Sequence, residues 1–136
     1  MSEWEESIKE GKVIKITPNL ERSSSLKQSS LKLLNIINKI NLDNENGFFF
    51  ITNYYDIILE VMHSLMFKKG YNVLDHLSIG YYIKDILKNQ EIFELFNKYR
   101  KIRNNIIYYG KSIDTETSKQ AIKDLQELYE FVKELK

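Results

Sequence analysis

The sequence predicts an all-α fold, a compact bundle of four main helices with short extra helices, built as a single domain over residues 1–136. Proline occurs once and glycine five times, and apolar residues recur at helical spacing along most of the chain. Only Lys12–Ile16 alternates apolar and basic residues, over too short a span to form a sheet by itself. No linker or internal repeat divides the chain, and its length suits one hydrophobic core.

The first two helices are predicted from apolar spacing and helix signals. Trp4 and Ile8 lie four residues apart and indicate a short helix that stops near Gly11. Thr17-Pro18 marks the start of a second helix, because proline is tolerated in the first turn. This helix is expected to run to about residue 40, with an apolar side made of Leu26, Leu33, Leu34, Ile37 and Ile40.

The third helix, from about Phe48 to Lys69, is apolar on most sides, which predicts a central position in the bundle. A polar loop over residues 41–47 precedes it, and Gly70 after two lysines is typical of a helix C-terminus. Asp75 is expected to cap a fourth helix that ends near Lys88.

The fifth and sixth helices complete the bundle. The fifth is predicted from about Asn89 to Gly110, and Asp114 or Thr115 is expected to cap the sixth. Their apolar residues follow helical spacing: Phe93, Phe96, Tyr99, Ile102 and Ile106 in the fifth, then Ile122, Leu125, Tyr129 and Val132 in the sixth.

Composition excludes several classes of protein. The net charge of +1 gives no bulk attraction to nucleic acid or membrane, and the absence of cysteine excludes disulfides, a thiolate nucleophile and a cysteine zinc site. No apolar run is long enough to span a bilayer, and the acidic start Met1–Glu6 lacks secretory-signal features, which predicts a cytoplasmic protein without membrane contact. We find no P-loop, dinucleotide-binding turn, serine elbow or zinc spacing, so no cofactor is predicted.

Residues 98–111 form the most positive segment of the chain. Five cations lie in this segment, and no acidic residue occurs between Phe96 and Ile113. Interleaved tyrosines and asparagines add stacking and hydrogen-bonding groups suited to a base or a phosphodiester. The alternative is a solvated helix end whose lysines complement the helix dipole.

Arg103 shares a helix face with Tyr99 and Ile106. An arginine on an apolar face needs a partner, which can be an internal carboxylate, a neighbouring subunit or a bound anion. Asp56 or Glu60, on the third helix, is the expected internal partner.

The C-terminal residues resemble the end of HEPN domains, the "higher eukaryotes and prokaryotes nucleotide-binding" helical bundles. The resemblance rests on Arg103-Asn104, the apolar residues after them, Tyr108-Tyr109-Gly110 and a final capped helix. Earlier residues occur in the order seen in archaeal-type members: Trp4, Gly11-Lys12, the helix after Pro18, Tyr55-Asp56, Gly70-Tyr71 and His76.

The resemblance implies a homodimer with a shared cleft. Many HEPN domains are metal-independent ribonucleases of toxin–antitoxin, CRISPR and RNA-processing systems, in which an arginine holds the scissile phosphate. A histidine, which follows after four to six intervening residues, assists proton transfer. Arg103 and Asn104 match this motif, but Tyr108 occupies the histidine position and Gly110 the position of a tyrosine that partner nucleotidyltransferases modify in some toxins.

The resemblance and the basic segment together predict a module that binds RNA or a nucleotide and is non-catalytic or weakly catalytic. Its expected binding residues are Arg100, Arg103, Asn104, Tyr108, Tyr109 and Lys111. A homodimer and a nucleotidyltransferase partner are expected, in a pair like a toxin and its antitoxin. One alternative is an active metal-independent ribonuclease that uses Arg103 and Tyr108, although five residues at 100° place the two about 140° apart on a regular helix. Another is a structural dimerisation module.

Two further groups of residues invite a chemical interpretation. Asp56, Glu60 and His63 share one face of the third helix, and Glu60-x-x-His63 has the spacing of di-metal bundles. One copy of that motif favours a hydrogen-bonded polar face, so no metal is predicted. His76 directly follows Asp75, and this position favours a first-turn residue over a catalyst.

Overall fold

The computed structural model describes residues 1–136 as an all-α bundle with one short β-ribbon, which confirms the predicted fold class. The helices are α1 (Glu3–Lys9), α2 (Leu20–Ile37), α3 (Gly47–Lys69), α4 (His76–Tyr81), α5 (Gln90–Tyr109) and α6 (Thr115–Lys133). A π-helical turn, Tyr82–Ile86, continues α4, and the strands are β1 (Val13–Lys15) and β2 (Tyr71–Val73). No helix combines the length and the apolar character that crossing a membrane requires.

Helix α3 lies at the centre of the bundle, as its sequence predicts. It packs against α2, α5 and α6, and side chains around most of its circumference are buried, among them Ile51, Ile57, Ile58 and Met62. Since apolar burial is the main stabilising term in folding, the bundle is organised around this helix. Its polar side chains consequently lie close to the neighbouring helices.

The helix ends follow the predicted capping residues. The carboxylates of Asp75 and Asp114 accept hydrogen bonds from the backbone N–H groups of Ser78 and Thr117, and the Asn89 side chain caps α5 in the same way. Gly70 and Gly110 end α3 and α5 with φ of 91° and 62°, in the left-handed region that glycine adopts without strain.

The predicted apolar side of α2 is wrong in part. The helix ends at Ile37 rather than near Ile40, and Leu33 and Ile40 are exposed. The buried side of α2 instead contains Ser23 and Ser30. Ser23 of α2 and Ser64 of α3 each donate a hydrogen bond to the other's backbone carbonyl oxygen, at 2.7 and 2.6 Å. These small side chains let α2 and α3 approach closely.

The segment Lys12–Ile16, from which no sheet was expected, contributes a strand because a second strand pairs with it. Val13 lies opposite Val73 and Lys15 opposite Tyr71 in an antiparallel ribbon. This pairing joins the N-terminal segment to the connection between α3 and α4.

The fourth helix also differs from its prediction, since its α-helical part ends at Tyr81 and not near Lys88. The following π-helical turn is marked by a hydrogen bond from Leu87 N–H to the Tyr82 carbonyl, five residues back. The wider turn brings the Asp85 carboxylate to the start of α1, where it accepts a hydrogen bond of 2.9 Å from the Trp4 backbone N–H. Helix α1 is thereby held against α4.

The close crossing of α3 and α6 at Gly47 gives a stability prediction. A Cβ at Gly47 would lie 2.1 Å from Ser118 Oγ and 2.9 Å from Ser118 Cβ, so Gly47→Ala is expected to lower the free energy of unfolding by about 1–3 kcal/mol through overpacking. Urea unfolding measures the change. In the double variant Gly47→Ala/Ser118→Gly, the loss of unfolding free energy should be smaller than the sum of the losses in the two single variants. Strictly additive losses, or a Gly47→Ala variant that unfolds at the same urea concentration as the wild type, would contradict the close contact between Gly47 and Ser118.

Candidate functional site

Arg103 lies on the buried face of α5, as the sequence predicts. Its side chain is 17% exposed, and Phe96, Tyr99 and Ile106 on the same face are buried. Burial removes most of the water from a charge that arginine does not lose at any physiological pH. The local structure therefore has to supply the guanidinium with partners.

Asp56 of α3 is the acidic partner of Arg103. Nη2 of Arg103 lies 3.3 Å from Oδ1 of Asp56, whose side chain is 43% exposed. The guanidinium also lies 5.9 Å from the centre of the Tyr55 ring. Its Nε is buried and has no hydrogen-bond partner. The internal ion pair expected from the sequence is present, but it satisfies the five N–H donors of the guanidinium only in part.

His76 lies at the edge of this ion pair. Its Nδ1 is 3.5 Å from the Tyr55 hydroxyl oxygen, and the two rings are 5.9 Å apart between centroids. Burial lowers the pKa of His76, and the positive charge of Arg103 lowers it further. The imidazole is therefore neutral at pH 7 and able to accept a proton.

The other polar groups of α3 extend the site along that helix. Burial raises the pKa of Asp56, against the opposing effect of Arg103. Burial also raises the pKa of Glu60, to which Ser29 of α2 donates a hydrogen bond of 3.4 Å. Burial lowers the pKa of His63, with His76 and Arg22 adding to the effect.

We call this set of side chains the polar cluster. It consists of Tyr55, Asp56, Glu60, His63, His76, Arg100 and Arg103. Both histidines of the chain and two of its three arginines belong to it. No three histidine or acidic side chains lie close enough together to form a metal-binding group, and the arrangement concentrates proton-transfer and anion-binding groups instead.

The structure brings some of the predicted binding residues to the cluster. Arg100 lies one turn before Arg103 and acts electrostatically on both Tyr55 and His76, while its Nε donates a hydrogen bond of 3.0 Å to Asn97. Asn104 is half-buried beside Arg103 on the same helix.

The other predicted residues lie apart from the polar cluster. Tyr108 and Tyr109 are 70% and 74% exposed at the end of α5, and Lys111 is exposed just beyond it. The helix stays α-helical to Tyr109, so within one chain Tyr108 points away from the face that buries Arg103. Exposed Phe48, at the start of α3, and Lys111 line one shallow depression.

Sequence reasoning undervalued His76 and Tyr55. The sequence favoured a first-turn role for His76, and its Asp75 neighbour does cap α4. His76 reaches Tyr55 because the chain turns through β2, and β2 is held by its pairing with the distant strand β1. No local sequence pattern predicts this pairing. Tyr55 is completely buried, and its position on the helix predicts only an aromatic residue of the core.

Scans against protein-family models, curated proteins and solved structures return no match. The relation to HEPN domains therefore stays a prediction that rests on the resemblance of the residues quoted above.

The lowered pKa of His63 predicts how stability depends on pH. In the unfolded chain His63 takes up a proton near its ordinary pKa of 6.5, whereas the folded chain binds that proton only at lower pH. Its stabilising contribution is therefore complete above pH 6.5 and is lost as the pH falls, so protonation favours unfolding. We expect Tm to fall less steeply between pH 7.5 and 5 in His63→Gln than in the wild type, measured by thermal unfolding.

The difference between the wild type and His63→Gln gives the contribution of His63 alone, because Asp56 and Glu60 titrate in both proteins. Their raised pKa values act with the opposite sign and stabilise the folded chain as the pH falls. Parallel curves for the wild type and His63→Gln would contradict the prediction.

Proposed function

We propose that the chain is a HEPN-type module that binds RNA or a nucleotide, with Arg103 and Arg100 contacting a phosphate group. The observation that carries the proposal is the incompletely satisfied guanidinium of Arg103, which has one carboxylate at 3.3 Å and a side chain that stays 17% exposed to solvent. A phosphate oxygen is a strong acceptor for guanidinium N–H groups. In a purely structural module, some of the N–H donors of the Arg103 guanidinium would have no acceptor.

The surroundings of Arg103 also support a nucleic-acid ligand. Arg100 and Asn104 border the site on the same helix, one turn before and one residue after Arg103. Exposed Tyr108 and Tyr109 at the end of α5 offer flat surfaces on which bases can stack. The expected homodimer and the expected nucleotidyltransferase partner remain predictions.

The exposed apolar side chains at one end of the bundle favour the homodimer over an isolated subunit. Helix α2 ends there and α3 begins there, and the exposed residues include Ile36, Ile40 and Phe48. Ile107 and the two tyrosines of α5 lie at the end of the neighbouring helix. Several exposed apolar side chains at one end of a bundle are typical of an interaction site.

RNA binding by purified variants tests the proposal. Arg103→Gln is expected to weaken the binding of a mixed-sequence single-stranded RNA by about 10-fold or more, because a charged hydrogen bond to phosphate contributes about 1.5–3 kcal/mol. Wild-type affinity should fall as salt is added. Fluorescence anisotropy measures both.

Lys119→Gln is the matched control. It removes one positive charge from the exposed surface of α6, where Lys119 pairs with Glu116, and should leave the affinity nearly unchanged. Equal losses in Lys119→Gln and Arg103→Gln would show non-specific attraction and would count against a site at Arg103.

A second candidate function is metal-independent cleavage of RNA, and the position of His76 favours it. A neutral imidazole beside Arg103 has the properties of a general base. In this scheme His76 takes the proton of the 2′-hydroxyl, its oxygen forms a bond to phosphorus, and the bond from phosphorus to the 5′ oxygen breaks. Arg103 would stabilise the extra negative charge of the transition state. The products would be a 2′,3′-cyclic phosphate and a 5′-hydroxyl end, with water protonating the leaving oxygen.

Cleavage assays on variants separate the two possible proton-transfer groups. Without metal, His76→Gln is expected to reduce the cleavage rate by about 100-fold or more, the range for loss of a general base. Tyr108→Phe should cleave like the wild type, since Tyr108 lies away from the polar cluster. Loss of cleavage in Tyr108→Phe alone would favour the mechanism in which Tyr108 transfers the proton. Absence of cleavage in the wild type would favour the non-catalytic binding module.

A further inference from the structure

The Asp56 carboxylate lies in the position that an anionic ligand of Arg103 would need. It is the only acidic group within ion-pair distance of the guanidinium. Its side chain is more than twice as exposed as that of Arg103, at 43% against 17%. Asp56 thus has more access to solvent than the cation with which it pairs.

The ion pair is also incomplete, which makes it replaceable. A single approach of 3.3 Å joins Nη2 to Oδ1, whereas the strongest guanidinium–carboxylate pairs make two parallel hydrogen bonds. The buried Nε of Arg103 stays unpaired. The two non-bridging oxygens of a phosphodiester are charged acceptors that frequently make two hydrogen bonds to one guanidinium, so they can use Nη donors that Asp56 leaves free.

The surroundings of Asp56 disfavour two anions at the same place. Glu60 follows it by one helical turn on α3, and the negative charge of Asp56 contributes to the raised pKa of Glu60. A phosphate brought to Arg103 would therefore repel Asp56, whose partial exposure gives the carboxylate access to water when it moves away.

We propose that Asp56 is an intramolecular competitor of the ligand, a carboxylate that pairs with Arg103 and has to leave it when a phosphate group binds. This inference rests on the proposed function, since it describes how that binding site is kept closed. Binding then exchanges a weak, single-contact ion pair for a stronger one. The affinity of the wild type is correspondingly lower than the cationic groups alone would give.

The test is the affinity of Asp56→Asn for a single-stranded RNA with 2′-O-methyl groups, which binds but cannot be cleaved through its 2′ oxygen. Asparagine keeps the shape and removes the charge. We expect Asp56→Asn to bind about three- to tenfold more tightly than the wild type at pH 7.5 and low salt, with the difference shrinking as salt is added. Asp56→Ser serves as a second variant if the asparagine perturbs folding, which circular dichroism and Tm report.

Glu94→Gln is the charge-matched control, because Glu94 is exposed on α5 and accepts a hydrogen bond only from Gln90 on that helix. It should bind like the wild type. Unchanged or weaker binding by folded Asp56 variants would overturn the competitor role and leave Asp56 as a group that positions Arg103. If neither the wild type nor any variant binds, the proposed function fails and the competitor role fails with it. Equal gains in Glu94→Gln and Asp56→Asn would also overturn it, since the effect would then be one of net charge.

Discussion

The burial of α3 on nearly all sides is the constraint on which the rest of the structure depends. Helices α2, α5 and α6 all pack against it, and its buried side chains form the largest part of the core. A helix in this position has limited contact with water, so its buried polar side chains depend on partners that the protein itself supplies. Ser64 finds Ser23 on α2, and Asp56 finds Arg103 on α5.

The polar cluster follows from that constraint, and its chemistry follows from partial burial. Complete burial would have required every donor and acceptor to be paired, whereas full exposure would have left the pKa values near those of free side chains. Asp56, Glu60, His63 and His76 lie between these limits, and burial moves each pKa toward the neutral form. Neutral histidines beside a permanent cation are a combination that acid–base chemistry and anion binding can both use.

The sequence was sufficient wherever the structural cause is local. Asp75, Asn89 and Asp114 cap helices with their own side chains, and the pairing of Arg103 with a carboxylate follows from a cation on an apolar face. Features that depend on contacts between distant segments of the chain could not be predicted from the sequence. The β-ribbon needs two segments that are far apart in the chain, the exposure of Leu33 reflects a serine-lined helix crossing, and the approach of His76 to Tyr55 depends on both the ribbon and the turn into α4. The residues of the candidate site on α3 and α5 were therefore predictable apart from Tyr55, whereas the contribution of His76 from α4 was not.

The β-ribbon has a consequence for the polar cluster. Val13 pairs with Val73, Trp4 packs edge-on against Tyr71 and Tyr82 with centroids 5.2 and 5.1 Å away, and Ser78 donates a hydrogen bond to Ser7. These contacts join the beginning of the chain to β2, α4 and the turn after it, and α4 carries His76, which contacts Tyr55. The α4 side of the cluster is thus held in place by residues that lie outside the cluster, so the geometry of the site depends on side chains that are far from it in the sequence.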